Sequence, residues 1–489
     1  MPESRLRVLF VNSNRCRLLV AAPPIGLAYV ATATARAGHD VRFIDLLFTT
    51  TPDEDLSRAL RDFDPDVVGL SIRNIDNVVS QRVESYVGGV ESLIRTIRAV
   101  SRAKIVIGGP AISILGDRAL RTFDADFAAV GEGETLMPAL LDALAEGASG
   151  AGIDGLHCRH DSGDGSTLPS RLSRFGGSGL ERWIDWQRYA RRGAAFPIQT
   201  KRGCPLGCSY CTYPAIEGSG TRVRAPEDVA DEIAHVTRTT APKTFEFVDS
   251  TFTVPESHAM GICEEIIRRK LRVTLSAMGG NPIGISTQLL STMKRAGFNS
   301  LMVTPESASE TMLRSYRKGF GVAEVERTAD AVRASGLASA WFFMLGGPGE
   351  TAETVEETMQ FIERRLRWSN CLVVVMTGVR ILPGSELART AFDSGYLAPG
   401  ADLAQPFFYF SPALDEAQVL GRINKSIARN SNVVHSCEEG SSPIQRTVDR
   451  LLHAAGVAPP FWRFVPRYLR IPPLPYLRSR HPPVGARAI

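Results

Sequence analysis

Three cysteines lie within eight positions near the middle of the chain, in the stretch KRGCPLGCSYCTYP (residues 201–214). They are Cys204, Cys208 and Cys211, and their spacing is C-x3-C-x2-C. Thiolates are soft ligands that favour zinc or iron–sulfur clusters. Structural zinc needs a fourth Cys or His at motif spacing, and the nearest histidine, His235, is more than twenty residues away. Three thiolates can hold three irons of a four-iron cluster and leave the fourth iron open, so the spacing indicates a reactive site.

Six apolar runs in the second half of the chain have the pattern of buried strands, and the cysteine loop follows the first of them. The runs cover residues 196–200, 244–250, 273–278, 300–307, 339–347 and 372–378. Helix-like stretches separate them. Six βα units are too few for a complete eightfold barrel, so the sequence predicts a partial, open (β/α)6 barrel of the TIM type. Chemistry in such barrels lies at the carboxyl ends of the strands.

Five further apolar runs precede the barrel, at residues 7–12, 41–46, 66–71, 104–109 and 127–133. They alternate with helix-like segments, which predicts a doubly wound, Rossmann-like parallel sheet. Ligands of such sheets bind beyond the carboxyl ends of the strands. The α/β fold class therefore consists of an N-terminal sheet domain, a partial barrel and a small C-terminal cap.

We predict four segments along the chain. Residues 1–145 form the sheet domain, and residues 146–195, rich in Gly, Ser, Asp and Arg, form a linker. Residues 196–400 form the barrel, and residues 401–489 form a C-terminal region that caps the substrate. The stretch 461–480 mixes aromatic residues, Arg and Pro without steady periodicity, and we expect it to pack over the preceding domain.

Composition excludes several classes of protein. The net charge of +4 over 489 residues is small and implies no nucleic-acid partner. The uncharged run at 18–35 contains Pro23, Pro24 and Gly26, so we expect a loop and a buried helix there rather than a transmembrane segment. The remaining cysteines are scattered and do not resemble a disulfide framework, which predicts a reducing, cytoplasmic location.

The cysteine spacing, with the aromatic Tyr210 directly before the third cysteine, resembles the signature of radical S-adenosylmethionine (SAM) enzymes. The resemblance implies that Cys204, Cys208 and Cys211 hold a [4Fe–4S] cluster whose open iron binds the amine and carboxylate of SAM. Electron transfer from the cluster then cleaves SAM to a 5′-deoxyadenosyl radical. An electron donor such as flavodoxin or ferredoxin is the implied protein partner.

The same resemblance implies contacts to SAM at the carboxyl ends of the barrel strands. These candidates are Tyr210, Asp249, Ser250, Glu306, Gly346, Gly347, Gly349 and Arg380. Asp249 and Ser250 occupy the region that contacts the SAM amine, although the usual Gly-Gly-Glu is absent there. Glu306 matches a position that holds the ribose or the methionyl group. The glycine turn 346–349 lets the backbone approach the adenine closely, and Arg380 is placed to pair with a carboxylate or phosphate.

The N-terminal stretches PPIGLAYVATATARAGHDVRFIDL, DPDVVGLSIRNIDN, IVIGGP and VGEGE resemble the cobalamin-binding domain of cobalamin-dependent radical SAM enzymes. With the barrel motifs the resemblance covers about residues 6–400. The implied cobalamin contacts are Asn12, Ser71, Arg73, Asn74, Gly108, Gly109, Gly131, Gly133 and Glu134. Methylthiotransferases also join such domains, but they require three N-terminal cysteines, and this chain has only Cys16 there.

One departure from the cobalamin-binding pattern concerns the cobalt. The D-x-H-x-x-G motif that supplies a histidine ligand is absent, and the nearby His39 is expected to be a surface turn residue. The loop 71–74 is instead expected to approach the lower face of the corrin. Arg73 has no lone pair to give, so below the metal it would disfavour axial ligation and help stabilise Co(I). Alternatively, Arg73 pairs with Asp76 or faces solvent.

The resemblance implies a methylase in which one SAM methylates cobalamin and a second SAM supplies the radical. The radical would remove hydrogen from an unactivated carbon, which then takes methyl from methylcobalamin. The expected substrate is a small molecule, and the Arg-rich composition favours a natural-product pathway such as antibiotic biosynthesis. The alternatives are a cyclase or rearrangement enzyme without methyl transfer, methylation of an sp2 carbon or phosphorus without hydrogen abstraction, and a non-catalytic iron–sulfur or corrin-binding protein.

Overall fold

Parallel strands form the centre of both halves of the chain in a computed structural model that describes residues 5–16, 21–159, 169–436 and 443–468. The first sheet has six strands in the order β2-β1-β3-β4-β5-β6. They are β1 (Arg7–Asn12), β2 (Asp40–Asp45), β3 (Val67–Ser71), β4 (Lys104–Gly108), β5 (Phe127–Ala129) and β6 (Leu156–Cys158). The first five are mutually parallel, and β6 pairs antiparallel with β5.

Helices cover both faces of this sheet. They are α1 (Ile25–Arg36), α2 (Pro52–Phe63), α3 (Val87–Val100), α4 (Pro110–Leu115), α5 (Ala119–Thr122) and α6 (Gly133–Ala145). The side chains of α2 and α3 pack on one face, around Leu9 and Leu70. Those of α1 and α6 pack on the other, around Val8 and Phe10. Because residues alternate between the two faces of a strand, near-continuous apolar runs produce this doubly wound arrangement.

The second sheet has seven parallel strands in the order β17-β14-β13-β12-β11-β10-β7. The strands of this sheet are β7 (Phe196–Ile198), β10 (Phe245–Phe247), β11 (Leu275–Gly280), β12 (Phe298–Glu306), β13 (Ala338–Leu345), β14 (Cys371–Thr377) and β17 (Val433–His435). Two short antiparallel ladders lie outside it: β8 (Lys201–Arg202) pairs with β9 (Arg222–Val223), and β15 (Val379–Arg380) pairs with β16 (Phe408–Tyr409). Among the described residues β7 and β17 do not pair, so the barrel is open.

The helices of this half lie between the strands and at its C-terminal end. They are α7 (Trp186–Ala190), α8 (Tyr213–Glu217), α9 (Pro226–Thr239), α10 (Glu256–Arg268), α11 (Thr287–Ala296), α12 (Glu310–Ser315), α13 (Val322–Ser335), α14 (Ala352–Arg365), α15 (Glu386–Asp393), α16 (Glu416–Arg429), α17 (Pro443–Ala454) and α18 (Val465–Tyr468). Five 3-10 helices occur at Leu46–Phe48, Gly116–Arg118, Leu180–Arg182, Pro282–Gly284 and Phe461–Phe464. Within the described parts of the chain, no helix is both long and apolar enough to cross a membrane.

The expected fold class is confirmed, and all six predicted barrel strands are present. A seventh strand, β17, extends the barrel within the segment predicted as a C-terminal cap. The predicted linker contains β6, which belongs to the first sheet, and also α7. The uncharged run at 18–35 leads into α1, although residues 18–20 lie outside the described part.

The two faces of the barrel sheet differ in exposure. Outward side chains such as Trp341 and Val373 pack against the helices and are fully buried. Inward side chains such as Phe342 and Val374 belong to the same strands but are only partly buried. Since alternate residues point to opposite faces, the inner face borders a space that solvent reaches. We call this space the barrel lumen.

The C-terminal segment closes the base of the lumen, at the amino ends of the strands. The carbonyl of Pro459 accepts hydrogen bonds from Thr244 Oγ1 (2.8 Å) and Asn299 Nδ2 (3.1 Å). Val465 is buried and, together with Trp462, packs on the inward side chains of β13 and β14. The stretch 461–480 was expected to pack over the preceding domain; its part to residue 468 lies at this base, and residues 469–480 lie outside the described part.

Candidate functional site

The cysteine loop starts directly after β8 at the carboxyl end of the barrel. Gly203 begins it with φ +85°, and a Cβ there would lie 2.0 Å from the carbonyl of Gly220, so only glycine fits. The N–H of Cys204 donates to the carbonyl of Gly218 (3.0 Å). The N–H of Cys211 donates to the carbonyl of Cys208 (3.1 Å), which folds the loop back on itself. The three thiols thereby lie in one short loop, close enough to affect each other's pKa values.

The thiols of this loop are free and suited to a cationic group. Burial raises the pKa of Cys204, and it raises the pKa of Cys211 to about 11. Mutual repulsion between the thiolates adds to both shifts. Neither thiol therefore loses its proton readily unless a positively charged group binds beside it. The donor set therefore fits an iron–sulfur cluster, which requires thiolate ligands.

A buried polar cluster of Tyr210, Glu306 and Lys318 adjoins the cysteine loop. Tyr210 donates from its hydroxyl to Glu306 Oε1 (3.0 Å), and Lys318 Nζ donates to the same hydroxyl (3.2 Å). Lys318 Nζ also lies 3.6 Å from Glu306 Oε1, and both charged side chains are nearly inaccessible. Glu306 ends β12 with φ +68°, a strained value for a residue with a side chain. An ammonium and a carboxylate held together beside the cluster loop suit a zwitterionic ligand.

Lys318 was absent from the sequence-based candidates. The chain has only seven lysines, and this one follows Glu306 by twelve positions. Most positive charges of this chain are arginines, so a lysine close to a motif residue could have indicated a functional role from the sequence alone. Its proximity to Tyr210 depends on the turn after α12, which the sequence pattern did not resolve.

Asp249 holds the base of the cysteine loop. Its carboxylate accepts hydrogen bonds from the N–H of Thr200 (2.7 Å), the hydroxyl of Thr200 (2.6 Å) and the N–H of Lys201 (3.1 Å). The neighbouring Ser250 has a buried hydroxyl that lacks a hydrogen-bond partner among the described residues. Of these two candidates, Ser250 therefore has the polar atom that is available to a ligand.

The glycine turn after β13 is built around Glu350. The N–H groups of Gly346 and Gly347 both donate to Glu350 Oε2, the latter at 3.0 Å. A Cβ on Gly347 would lie 2.2 Å from the hydroxyl oxygen of the buried Tyr316, whereas nothing lies within 4 Å of one on Gly349. Burial raises the pKa of Glu350 to about 7, and the two backbone N–H groups oppose that rise. The turn leaves room for a ligand only near Gly349.

Arg380 lies in the boundary between the two halves of the chain. Its Nε donates to Asp76 Oδ2 at 2.8 Å, and both side chains are buried. Its remaining nitrogens donate to the carbonyls of Ile381, Leu403 and Phe407. The structure thus gives this guanidinium a full set of protein partners, and the predicted contact to SAM stays a prediction. Asp76, which was one possible partner of Arg73, pairs with Arg380 instead.

The loop after β3 carries the exposed candidates for cobalamin. Arg73 is exposed and Asn74 is half-buried, with Ser71 at the end of the strand. Burial raises the pKa of Tyr213 to about 12, and the charge of Arg73 opposes that rise. Arg73 therefore lies on the side of the first domain that adjoins the barrel, within electrostatic range of Tyr213, two residues beyond Cys211.

The other candidates for cobalamin have protein contacts of their own. Asn12 donates from Nδ2 to Asp45 Oδ1 (2.8 Å), and Glu134 pairs with Arg202 (2.6 Å). Gly109 and Gly131 have φ near +100°, and a Cβ on either would collide with a backbone carbonyl. The remaining two glycines, Gly108 and Gly133, face the side chains of Ala129 and Val30. Packing within the protein thus accounts for most of these glycines, and their contact with a corrin stays a prediction.

His39 lies just before β2, at the amino edge of the first sheet. Its Nδ1 accepts the N–H of Leu6 (3.4 Å), and its Nε2 lies 3.6 Å from Asp142. This edge is opposite the carboxyl ends at which Arg73 stands, so His39 does not face that site. It was expected on the surface and is in fact buried beneath α6.

One carboxyl group points into the barrel lumen. Glu246 lies between Phe245 and Phe247, which both pack outward, so its side chain points inward. The hydroxyl of Ser276 donates to Glu246 Oε1 (3.1 Å). Burial raises the pKa of Glu246 to about 7. The walls nearest the lumen base are otherwise apolar, with Phe342 and Val374 among them.

Comparisons with known families agree with both halves of this geometry. The profile of the Radical SAM superfamily matches residues 198–362, and that of the B12 binding domain matches residues 18–141. An uncharacterized methyltransferase of Pyrococcus horikoshii is 28% identical over 351 residues, which are 70% of this chain and 73% of the relative. The tryptophan 2-C-methyltransferase of Streptomyces laurentii is 24% identical over 451 residues, 78% of this chain and 74% of the relative. Anaerobic magnesium-protoporphyrin IX monomethyl ester cyclases also match.

A solved structure has the same fold over almost the whole chain. It is the radical SAM methyltransferase TsrM of Kitasatospora setae, described with cobalamin and a [4Fe–4S] cluster bound. The TM-score is 0.81 at 22% identity, and the match covers 95% of this chain and 99% of the other. The matches to both families thus give the chain a radical SAM domain at residues 198–362, which contains the three cysteines, and a B12 binding domain at residues 18–141.

Proposed function

We propose that the protein is a cobalamin-dependent radical SAM methyltransferase that methylates a carbon of a small-molecule substrate. One observation supports this above the others. The cysteine loop of the barrel adjoins the carboxyl edge of the first sheet, the edge that carries the Arg73 loop, because Arg202 directly before the loop pairs with Glu132 and Glu134 after β5. When bound, the cluster and SAM would supply a 5′-deoxyadenosyl radical, and cobalamin would carry the methyl group. This arrangement places both chemistries in one enclosed space.

Each part of the site has a defined task in this proposal. Cys204, Cys208 and Cys211 hold the cluster, because their thiols are free and close together. Lys318 and Glu306 recognise the carboxylate and the amine or ribose of SAM through charge and hydrogen bonding. The exposed guanidinium of Arg73 offers no lone pair, so a corrin beside it would lack a protein ligand from this residue.

The lumen indicates what kind of substrate fits. Its inward side chains near the base are apolar or aromatic, and Glu246 with Ser276 adds one polar wall. Such a space suits a compact, largely apolar molecule with a hydrogen-bond donor. The tryptophan named for the relative in Streptomyces laurentii has this character. A natural-product substrate of this class remains our proposal, as does methyl transfer at carbon rather than at phosphorus.

A cyclase or rearrangement enzyme is the second candidate. Relatives named as magnesium-protoporphyrin IX monomethyl ester cyclases favour it, because they match more than 60% of this chain. A porphyrin is much larger than tryptophan, and the closed base of the lumen favours the smaller substrate. Transfer of isotope from methyl-labelled SAM to an acceptor separates the two candidates, since a cyclase transfers none.

The proposal is tested by anaerobic reconstitution with iron, sulfide and hydroxocobalamin. We expect about four irons and one cobalt per chain in the wild-type protein. Cys208→Ala should lose the iron and keep the cobalt, because the two sites lie in different domains. Cys263→Ala is the matched control: this cysteine is fully buried in α10, away from the loop, and its loss should leave both metals in place.

The result also decides between the functions. Iron without cobalt would contradict the methyltransferase and leave the first domain as a substrate or partner module. Both metals together with 5′-deoxyadenosine and labelled product would support it. Both metals without either product would favour a non-catalytic carrier.

An electron donor and a cytoplasmic location complete the proposal. The cluster must be reduced from outside, and a flavodoxin or ferredoxin has the required potential range. No cysteine among the described residues forms a disulfide, which suits a reducing compartment. Reduction of the reconstituted protein by either donor, followed as 5′-deoxyadenosine formation, tests this part.

A further inference from the structure

A hairpin-like loop crosses from the first domain to the mouth of the barrel. It comprises residues 75–86 between β3 and α3. The N–H of Asn77 donates to the carbonyl of Glu84 (3.0 Å), and the N–H of Tyr86 donates to the carbonyl of Ile75 (2.8 Å). At its tip the hydroxyl of Ser80 donates to the carbonyl of Thr377, at the end of β14. We call residues 75–86 the crossing loop.

Asp76 performs two tasks in the crossing loop. Its Oδ1 accepts the N–H of Val78 (2.8 Å), which shapes the turn, and its Oδ2 accepts from Arg380 Nε (2.8 Å). Val78 has φ +52°, which is unusual for a β-branched residue, and its side chain is exposed. A strained residue at an exposed tip persists only when its surroundings fix the backbone. The carboxylate of Asp76 contributes to this, together with Asn77 Oδ1, which accepts the N–H of Val79 (3.2 Å).

Arg380 connects the crossing loop to the end of β15 and to the segment 403–407. All three guanidinium nitrogens donate, to Asp76 and to the carbonyls of Ile381, Leu403 and Phe407. Ala404, which lies beside one of these carbonyls, is buried within the core of the first domain. Removing one partner of such a buried pair leaves the other charge without compensation. The pair therefore fixes one arrangement of the two domains at this point.

We propose that the Asp76–Arg380 pair is a positioning element that sets the distance between the Arg73 loop and the cysteine loop. Arg73 precedes Asp76 by three residues at the carboxyl edge of the first sheet, and Arg202, two residues before the first cysteine, pairs with Glu132 and Glu134 at the same edge. The pair does not touch the reacting atoms, and it acts through the crossing loop. Misplacement by about 1 Å costs roughly a hundredfold in rate for groups that must meet. This inference rests on the proposed function, which requires both loops to act on one SAM-dependent reaction.

The test uses Asp76→Asn and Arg380→Lys in the full chain, each measured in two ways. In the apoprotein, amide hydrogen exchange of residues 73–86 should rise in both variants, because the crossing loop loses its anchor. In the reconstituted protein, formation of S-adenosylhomocysteine from SAM should fall at least tenfold while iron and cobalt content stay unchanged. Glu232→Gln is the matched control, because it breaks a comparably buried pair with Arg224 that does not involve the crossing loop.

The control should change neither exchange at residues 73–86 nor S-adenosylhomocysteine formation. Unchanged exchange in Asp76→Asn and Arg380→Lys would overturn the inference, and so would faster exchange with undiminished methyl loss from SAM. Loss of cobalamin in both variants would also overturn it, because the pair would then retain the cofactor rather than set a distance. If the wild-type protein forms no S-adenosylhomocysteine, the proposed function fails, and the exchange experiment still decides whether the pair anchors the crossing loop.

Discussion

Glu350 is expected to make the stability of the apoprotein fall as the pH rises through neutrality. Burial raises the pKa of its carboxyl group from 4.5 to about 7 in the folded chain. Oε2 accepts both backbone N–H groups of the glycine turn, while Oε1 is buried without a partner among the described residues. A buried oxygen without a partner favours the neutral acid, because the proton removes the uncompensated charge.

The sign and size of this pH dependence follow from the linkage between proton binding and unfolding. Between pH 4.5 and 7 the unfolded chain has lost the proton that the folded chain keeps, so the free energy of unfolding decreases as the pH rises. A shift from 4.5 to about 7 corresponds to about 3 kcal/mol, which is fully present below pH 4.5 and lost by about pH 8. Glu350→Gln has no such proton and should lack this decrease, while its amide oxygen still accepts the two N–H groups.

The assay is urea unfolding of both proteins at pH 5, 6, 7 and 8, in the absence of iron and oxygen. The quantity to follow is the difference in unfolding free energy between wild type and Glu350→Gln. Burial also raises the pKa values of Glu217 and Glu246 to about 7, but both groups are present in each protein and cancel in the difference. Glu350→Ala leaves two backbone donors unpaired and should be about 2–6 kcal/mol less stable than Glu350→Gln at every pH, since neither variant has the titrating carboxyl group. An equal pH dependence in wild type and Glu350→Gln would refute the reasoning.

Three further substitutions test the glycine turn and the domain boundary. Gly347→Ala should destabilise the chain by about 1–3 kcal/mol and weaken SAM binding, because its Cβ would lie 2.2 Å from Tyr316. Gly349→Ala has open space around its Cβ and should cost only about 1 kcal/mol, because its φ is +78°. Denaturation measures the stability of each variant, and equilibrium dialysis measures its SAM binding. Equal effects of the two would argue against a packed turn. Arg202→Met leaves the buried Glu134 without its arginine, while Glu132 keeps Arg222, and should cost about 3–5 kcal/mol in the same denaturation assay. An unchanged free energy of unfolding would show that the domains separate freely.

Local features of the site could be read from the sequence, because their causes are local. The cysteine spacing and its glycines determine the loop by short-range geometry, as the φ of Gly203 shows. The six barrel strands are recognisable because each is a continuous apolar run. By contrast, β17 has only three residues, Val433–His435, and a strand that short has no periodicity to detect.

Partners that are distant in sequence could not be predicted in this way. Arg380 pairs with Asp76, 304 positions away, and no local pattern indicates which of many acidic residues it meets. We expected Arg380 to contact SAM because it follows a barrel strand. Ligand-binding residues occur at such positions, but so do residues that pair only within the protein. Lys318 was missed for a related reason, since its approach to Tyr210 depends on how α12 turns back toward the loop.

The domain boundary contains buried ion pairs where apolar contacts would have been at least as stabilising. Arg202 with Glu132 and Glu134, and Arg380 with Asp76, each join an arginine of the barrel to acids of the first domain. A buried pair adds little net stability compared with apolar side chains of similar size, but it tolerates only one geometry. Apolar surfaces can slide and repack, whereas an arginine whose nitrogens all donate cannot. In the proposed reaction, two loops on separate domains hold groups that must meet on one substrate, and a single fixed spacing between the loops meets that requirement.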